Sequence, residues 1–142
     1  MNVRFLPIII FSLFMCSFLP QKKKQSQSVK KVKKQTYKNV GKPIIGVASY
    51  YSAKLDGTIT ATGDRYRNSK YTAASNQFPL NSWVRVTRLK SKKSVIVKIN
   101  DRMHKRMQAK GRVVDLSGIA AKDLGIIKSG LAKVSVQKIK RS

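Results

Sequence analysis

Short stretches of alternating apolar and polar residues begin near Pro43, and each is predicted to form a β-strand. β-branched residues repeating with a period of two are typical of strands that bury one face. In the clearest case, Val95, Val97 and Ile99 share a face. The predicted strands cover residues 44–51, 71–74, 83–89, 95–99, 111–116 and 131–139.

Turns and one helical pattern separate these strands. Residues 90–94 have the composition of a hairpin turn between two strands, and residues 103–110 are interpreted as a basic loop. Residues 117–124 have helical spacing and are followed by Gly125, the residue type favoured just after a helix. Short strands with one or two short helices predict a mainly β fold, a compact barrel.

The first part of the chain has a different pattern. Residues 1–20 combine a charged start with the apolar run 5–19, which is typical of a signal peptide and shorter than the roughly 20 residues of a membrane span. Residues 21–42 are rich in Lys, Gln and Ser, so we expect a disordered linker there. The folded domain is then expected to occupy residues 43–140.

The single cysteine, Cys16, lies near the end of the apolar run and is a candidate lipid-attachment site. Met15 before it is not the small residue that signal processing prefers, and no A-x-A-like cleavage site follows. The alternatives are a simple secreted protein and an uncleaved anchor. Each places the protein outside the cytoplasm, in the periplasm or cell envelope, with membrane anchoring through the N-terminus in two of the three cases.

The formal net charge of +26 implies a polyanionic neighbour, which can be nucleic acid, anionic lipid or an acidic wall polymer. An exported start argues against nucleic acid. We therefore expect the basic linker to adhere to anionic envelope polymers or to a membrane surface. Its alternative role is that of a solubilising spacer.

Acidic residues are scarce, since the chain has no glutamate and five aspartates. Asp56 belongs to an Asp-Gly turn and Asp123 to the predicted helix, so both have structural explanations. Any carboxylate chemistry therefore depends on Asp64, Asp101 or Asp115.

Asp101 follows Ile99 on the apolar face of its strand, at the point where that face opens to water. A carboxyl in such a place is a candidate general acid. The alternative is an Asn-Asp turn whose side chains bind their own backbone. His104 is the only histidine, and no second histidine or cysteine has ligand spacing, so we expect neither a metal nor another cofactor.

Several motifs, in this order and spacing, resemble the rare lipoprotein A family of septal peptidoglycan lytic transglycosylases. The resemblance implies a six-stranded double-psi β-barrel over most of the folded part, and an exported start with a candidate lipid-attachment site also fits the family. The motifs are GVASYY at 46–51, TATGD at 60–64, TAA at 72–74, WVRVT at 83–87, NDR at 100–102, and GRVVDLS at 111–117 with AA at 120–121 and LG at 124–125.

The resemblance also implies the site residues. Asp101 matches the family's aspartate, Asp64 stands where a glutamate is usual, and Ser75 stands where a histidine is usual. His104 follows the Asn-Asp-Arg motif and is a candidate replacement for the missing imidazole. The residues expected to contact substrate are Tyr50, Tyr51, Thr60, Asn100, Arg102 and His104.

Asp115 enters through a second resemblance, to expansin-like wall-loosening barrels, whose essential aspartate lies in a similar Asp-Leu-Ser setting. The structural alternative is that Asp115 accepts hydrogen bonds from the free backbone N–H groups of the helix that follows.

The chemistry implied by the first resemblance is cleavage of the bond between N-acetylmuramic acid and N-acetylglucosamine in peptidoglycan, with formation of a 1,6-anhydro ring. Asp101 is the expected acid and base, with Asp64 positioning substrate. The alternative is an expansin-like module that binds or loosens glycan strands without cutting them. Both interpretations make peptidoglycan strands the partner, with the tyrosines stacking on sugar rings or packing over a barrel end.

The apolar run 5–19 and Cys16 generate the first prediction. The protein should be recovered outside the cytoplasm, and Cys16→Ser should release it from membrane fractions if Cys16 carries a lipid. Fractionation followed by immunoblotting measures both. Full-length protein recovered only in the cytoplasm would contradict the prediction of export.

Overall fold

The computed structural model describes residues 35–142, which form a mainly β domain with two short helices. In this part of the chain no helix has the length and apolar character needed to cross a membrane. The expected signal peptide and Cys16 lie outside the described residues. The elements are β1 Tyr37–Tyr50, β2 Thr72–Ala74, β3 Trp83–Arg88, β4 Ser94–Asp101, α1 Lys105–Ala109, β5 Arg112–Leu116, α2 Gly118–Leu124 and β6 Ala132–Arg141, with a 3₁₀ turn at Ala53–Leu55.

The six strands close into a barrel in the order β1-β5-β2-β4-β3-β6. Two neighbouring pairs, β1 with β5 and β2 with β4, are parallel, and the other four are antiparallel. The predicted hairpin of β3 and β4 is confirmed. This is the double-psi β-barrel that the sequence motifs implied.

The interior of the barrel is filled by the apolar faces that the alternating pattern predicted. Val84 and Val86 of β3 and Val97 and Ile99 of β4 are fully buried. Val134 and Val136 of β6 close the same core. At roughly 1.5–3 kcal/mol for each large side chain removed from water, this β-branched core is the main source of stability.

The N-terminal boundary of the fold differs from the sequence prediction. β1 begins at Tyr37, so the last residues of the expected linker 21–42 are a strand and Pro43 is too late a start. The cause is β6, which offers backbone partners to residues 37–40 that composition alone does not reveal. Gln137 adds to this pairing, because its amide donates to the carbonyl oxygens of Val40 and Gly41 at 2.9 and 2.7 Å.

The two helices give one correction and one confirmation. The expected basic loop 103–110 contains α1, whose N-terminus is capped by His104. The predicted helix at 117–124 is present as α2, and it ends at Gly125 with a φ of 78°, the left-handed conformation that favours glycine at this position.

Gly46 of β1 generates the second prediction, because a Cβ there would lie 2.3 Å from Cγ1 of Val113. Gly46→Ala should therefore destabilise the domain by about 1–3 kcal/mol, the usual cost of overpacking. Val113→Ala removes both γ carbons, so the double variant should lose less stability than the sum of the two single variants. Urea unfolding measures all three, and strict additivity would contradict this close packing.

Candidate active site

Two of the three candidate aspartates flank the same residue of β2. Asp101, at the end of β4, and Asp115, in β5, are the register partners of Ala74 on its two sides. Since neighbouring strands lie about 4.8 Å apart, the two backbone positions are separated by roughly 10 Å. Both carboxyl groups lie near Tyr51, since the charges of Asp101 and Asp115 both raise the pKa of its hydroxyl.

Asp101 is held by hydrogen bonds from three donors. Its Oδ1 accepts from the backbone N–H of Ala61 at 2.9 Å and from that of Arg102 at 2.8 Å, and its Oδ2 accepts from the hydroxyl of Tyr51 at 2.8 Å. The bond from Arg102 is the local turn contact expected of an Asn-Asp sequence. The other two come from distant parts of the chain, so the carboxylate is more than a turn-forming group.

The contact with Ala61 depends on a small hairpin formed by residues 57–66. The hairpin is closed by backbone bonds between Thr58 and Tyr66 and between Thr60 and Asp64. Its tip docks on the end of β4, because Thr62 N–H donates to the carbonyl oxygen of Asn100 at 3.1 Å while Ala61 N–H donates to Asp101. This loop therefore positions Asp101.

Tyr51 lies between the hairpin and the two aspartates. Its ring meets that of Tyr66 edge-on, with centroids 4.8 Å apart. Burial raises the pKa of Tyr51 far above its ordinary value, and the hydrogen bond to Asp101 and the charges of Asp101 and Asp115 raise it further. Tyr51 therefore remains a proton donor to Asp101 throughout the physiological range. Tyr50, in contrast, donates its hydroxyl to the carbonyl oxygen of Ile127 at 3.0 Å.

Asp115 has the opposite environment to Asp101. Its residue is 8% exposed, and its Oδ1 has no hydrogen-bond partner among the described residues. Burial raises the pKa of Asp115, and the Arg112 guanidinium, 3.7 Å from Oδ1, partly opposes that effect. A buried carboxyl without a hydrogen bond at Oδ1 and with a raised pKa is a pattern typical of functional sites.

The structural alternative for Asp115, that it caps α2, is wrong. The first free N–H groups of α2 are taken by Asn68 instead. Gly118 N–H donates to Asn68 Oδ1 at 2.9 Å, and Ile119 N–H donates to the Asn68 carbonyl oxygen at 3.0 Å. Asp115 therefore has no role in capping.

Asp64 lies on the returning arm of the 57–66 hairpin and is exposed. Its Oδ2 accepts from the Thr62 hydroxyl at 3.0 Å, and its carbonyl oxygen accepts from the hydroxyl of Thr60 at 3.0 Å. Thr60 is 5% exposed, so it holds the loop in shape and its side chain is closed to substrate in this conformation. Asp64 is open to a ligand.

Three other candidates have structural contacts. Ser75 is fully buried, and its hydroxyl donates to the Val113 carbonyl oxygen at 2.7 Å. The Arg102 guanidinium donates to the carbonyl oxygens of Ser75 and Phe78. His104 accepts from Arg106 N–H through Nδ1 at 3.1 Å, and within residues 35–142 no hydrogen bond joins it to an aspartate. We therefore leave Ser75, Arg102 and His104 out of the proposed chemistry.

Two concave surfaces adjoin these residues. A groove of about 930 Å³ is lined by Tyr50, Tyr51 and the start of α2. A smaller pocket of about 300 Å³ contains Asp64 and Asn100, the residue before Asp101. Both tyrosines expected to contact substrate therefore lie in the first, and two other expected site residues lie in the second.

Two contributors to the site were missed by sequence reasoning. The contribution of Ala61 is its backbone N–H, which no residue type in the sequence indicates. The contact with Asp101 follows only from the three-dimensional position of the hairpin. Tyr66, which supports Tyr51, repeats the aromatic character of Tyr50 and Tyr51 on the far side of the Gly63 turn. That repetition is a signal from which a contact could have been inferred.

The structure is thus a closed six-stranded barrel with two aspartates close to Tyr51, one of the two tyrosines that line the larger groove. Residues 44–136 match the model of the lytic transglycolase family, and the chain belongs to that family. The resemblance to the rare lipoprotein A family is confirmed.

Named relatives agree with this assignment. The chain is 47% identical over 94 residues to the endolytic peptidoglycan transglycosylase RlpA of Pasteurella multocida, a match covering 66% of this chain and 31% of the relative. It is 43% identical over 112 residues to the RlpA of Haemophilus influenzae, covering 75% and 38%. The chain therefore spans about a third of the length of these relatives.

Solved structures support the fold. An expansin of Clavibacter michiganensis matches 69% of this chain and 50% of its own, with a TM-score of 0.52 and 21% identity. A Streptomyces papain inhibitor matches 72% of this chain and 97% of its own, with a TM-score of 0.54 and 21% identity. These likenesses concern the barrel alone.

Burial of Asp115 generates the third prediction. Its pKa is raised above the ordinary 3.8, so the folded state binds the proton more tightly, and this group's contribution to stability is lost as pH rises from about 3.8 through the raised value. Asp115→Asn should therefore melt like the wild type below that window and gain stability relative to it at neutral pH.

Thermal melts of both proteins from pH 3 to 8 measure this difference. Asp123→Asn is the matched control, since Asp123 is exposed on α2. A wild type that is the more stable protein at neutral pH would show that the ion pair with Arg112 outweighs the cost of burial.

Proposed function

We propose that this domain is an endolytic peptidoglycan lytic transglycosylase that acts in remodelling of the cell wall. The observation that carries the proposal is the fixed position of Asp101, whose carboxylate is held by Tyr51 and by the tip of the 57–66 hairpin at the open end of the barrel. Family membership and relatives named as RlpA transglycosylases support the choice of substrate.

In the proposed reaction, Asp101 acts first as an acid and then as a base. Its carboxyl proton passes to the glycosidic oxygen, and the bond from that oxygen to C1 of the muramyl residue breaks. The carboxylate then accepts the proton of the muramyl 6-hydroxyl while O6 bonds to C1. No water is consumed, and one carboxyl serves both steps, whereas hydrolytic glycosidases use two.

The surrounding residues have separate roles in this proposal. Ala61 N–H and the Tyr51 hydroxyl fix the orientation of Asp101 and stabilise its carboxylate once the proton has left. Asp64, exposed beside the site, steadies positive charge near C1. Asp115, on the far side of Ala74, is a second carboxyl close enough to Tyr51 for its charge to raise the pKa of that hydroxyl. Tyr50 and Tyr51 line the surface on which sugar rings would stack.

A second candidate function is a module that binds or loosens glycan strands without cutting them. The observation that favours it is the placement of Ser75, which stands where the family's histidine is usual and is buried with its hydroxyl already bonded. A carboxylate with three donors, such as Asp101, also suits a group that accepts hydrogen bonds from sugar hydroxyls. The test below separates the two functions.

The proposal places the protein in the cell envelope, where its substrate lies. The basic segment before residue 35 would add attraction to anionic envelope polymers or to a membrane surface, and Cys16 would add a lipid anchor. Neither contribution is needed for the chemistry of the barrel.

The fourth prediction concerns Asp101. Asp101→Asn keeps the shape and the acceptor oxygen but removes the titratable proton, so release of 1,6-anhydro-muropeptides should fall by about 10²–10⁴-fold. Mass spectrometry of digested peptidoglycan measures the product. Asp123→Asn, an equivalent change on the exposed side of α2, should leave the rate unchanged.

Asp64→Glu tests the same proposal from the other direction. Position 64 is exposed and can accept the additional methylene of glutamate. Glutamate is usual at this position in the family, so if the shorter aspartate limits the reaction, the rate of anhydro-sugar release should increase. If wild type and Asp64→Glu release no anhydro product within the assay range while both bind wall material, the second candidate function is correct. Unfolding of Asp101→Asn would instead identify Asp101 as a purely structural group.

A further inference from the structure

The smaller pocket beside Asp101 has a strongly positive lining. Four cations, Arg65, Arg67, Lys70 and Lys98, surround a space of about 300 Å³ that holds one acid, Asp64. The lining forms a concavity rather than a flat charged surface. Its positive excess therefore acts on a confined volume, where water screens charge less than on an open face.

Two of these cations are used by the fold and two are free. The Arg67 guanidinium lies 3.4 Å from Asp56, and Arg65 donates to the carbonyl oxygen of Gly57 at 3.0 Å. Across residues 35–142, both ion pairs belong to arginines, so neither Lys70 nor Lys98 has a carboxylate partner there. Two ammonium groups are thus available to a ligand.

The pocket also has polar atoms that the fold leaves unsatisfied. The hydroxyl of Thr72, cross-strand neighbour of Lys98, and the side-chain oxygen of Asn100 are buried without a hydrogen-bond partner in the described part of the chain. Asn100 is 5% exposed. A buried polar atom without a partner is costly, and a bound polar group would remove that cost.

The pocket is directly connected to the proposed acid. Consecutive residues Ala61 and Thr62 bond to consecutive residues Asp101 and Asn100, at 2.9 and 3.1 Å. Asp101 is thus one residue, or about 3.8 Å along the backbone, from a residue of the pocket. The 57–66 hairpin joins the two, because its tip binds Asp101 and Asn100 and its returning arm carries Asp64, which lines the pocket.

We propose that this pocket binds a carboxylate of the glycan strand, with Lys70 and Lys98 as its main ligands. The inference rests on the proposed function, since it assigns a specificity to the same site. The carboxylate has two possible sources in peptidoglycan: the lactyl group of muramic acid where the peptide has been removed, and the stem peptide where it is present. Either carboxylate would balance part of the excess positive charge that remains after Asp64 is counted.

The experiment measures equilibrium binding of soluble glycan strands to the full chain in an Asp101→Asn background, so that no strand is cut. Four probes are used: peptide-free strands and peptide-bearing strands, each with free carboxyl groups or with the carboxyl groups amidated by methylamine. Lys70→Gln/Lys98→Gln is compared with Lys90→Gln/Lys93→Gln, which removes the same charge from the exposed turn between β3 and β4.

We expect the Lys70→Gln/Lys98→Gln pair to weaken binding of one acidic probe by about tenfold and to have little effect on its amidated form, since charge-assisted contacts are lost. The control pair should cause a much smaller change. Loss confined to peptide-free strands assigns the lactyl carboxylate, and loss confined to peptide-bearing strands assigns the stem peptide.

Equal effects of the two lysine pairs, or equal binding of acidic and amidated strands by the protein with all four lysines, would overturn the inference. The second comparison needs no lysine variant, so it is independent of any folding defect that the lysine substitutions cause, and a thermal melt of Asp101→Asn establishes beforehand that the background protein is folded. Because binding is read without cleavage, the result is separate from the test of anhydro-sugar release, and either proposal can fail alone.

Discussion

Every strand of this domain needs a hydrogen-bonded neighbour on both sides, and barrel closure by β6 meets that requirement. β6 pairs with β1 along one edge and with β3 along the other. Without it, both partners would have an open edge, and the apolar faces of the core would have no wall. Within the closed barrel, β2, a strand of three residues, pairs with β4 on one side and with β5 on the other. The ends of β4 and β5 therefore lie next to the same short strand.

That arrangement gives two aspartates opposite surroundings within one site. Asp101 accepts three hydrogen bonds at the end of β4, whereas Asp115 is buried, has a raised pKa and lies 3.7 Å from the Arg112 guanidinium. Two chemically identical carboxyl groups therefore differ in their hydrogen bonds and in their burial. The scarcity of acids in the chain sharpens the contrast, because no glutamate competes for either role.

Local pattern was sufficient to predict most of the fold. The period-two runs of β3, β4 and β6 and the Gly125 cap depend on neighbouring residues, so they can be read from the sequence. The start of β1 could not be, because it lies in a basic segment that composition describes as disordered and its pairing partner, β6, is some hundred residues away. α1 was missed for a related reason, since its five residues have no apolar face that periodicity could detect.

Sequence reasoning named candidate site residues, which remain predictions, but few of the contacts that these residues make. Asp101, Asp64 and the tyrosines were recognised, and the structure places them on adjoining surfaces. The burial of Ser75 and the capping of α1 by His104 depend on the path of the backbone in three dimensions. Sequence motifs do not contain that information. The smaller pocket could not be predicted from the sequence, because its four cations are spread between residues 65 and 98 in a chain that has many other lysines.

The contact between Asn68 and α2 bears on the order of folding. α2 has seven residues, too few to be stable alone, and the groups that satisfy its first N–H donors come from some fifty residues earlier in the chain. Asn68 is itself tied to Asp56 through its backbone N–H and to the Tyr66 hydroxyl through Oδ1. We therefore expect α2 and the 57–66 hairpin, which positions Asp101, to form together as a single cooperative unit.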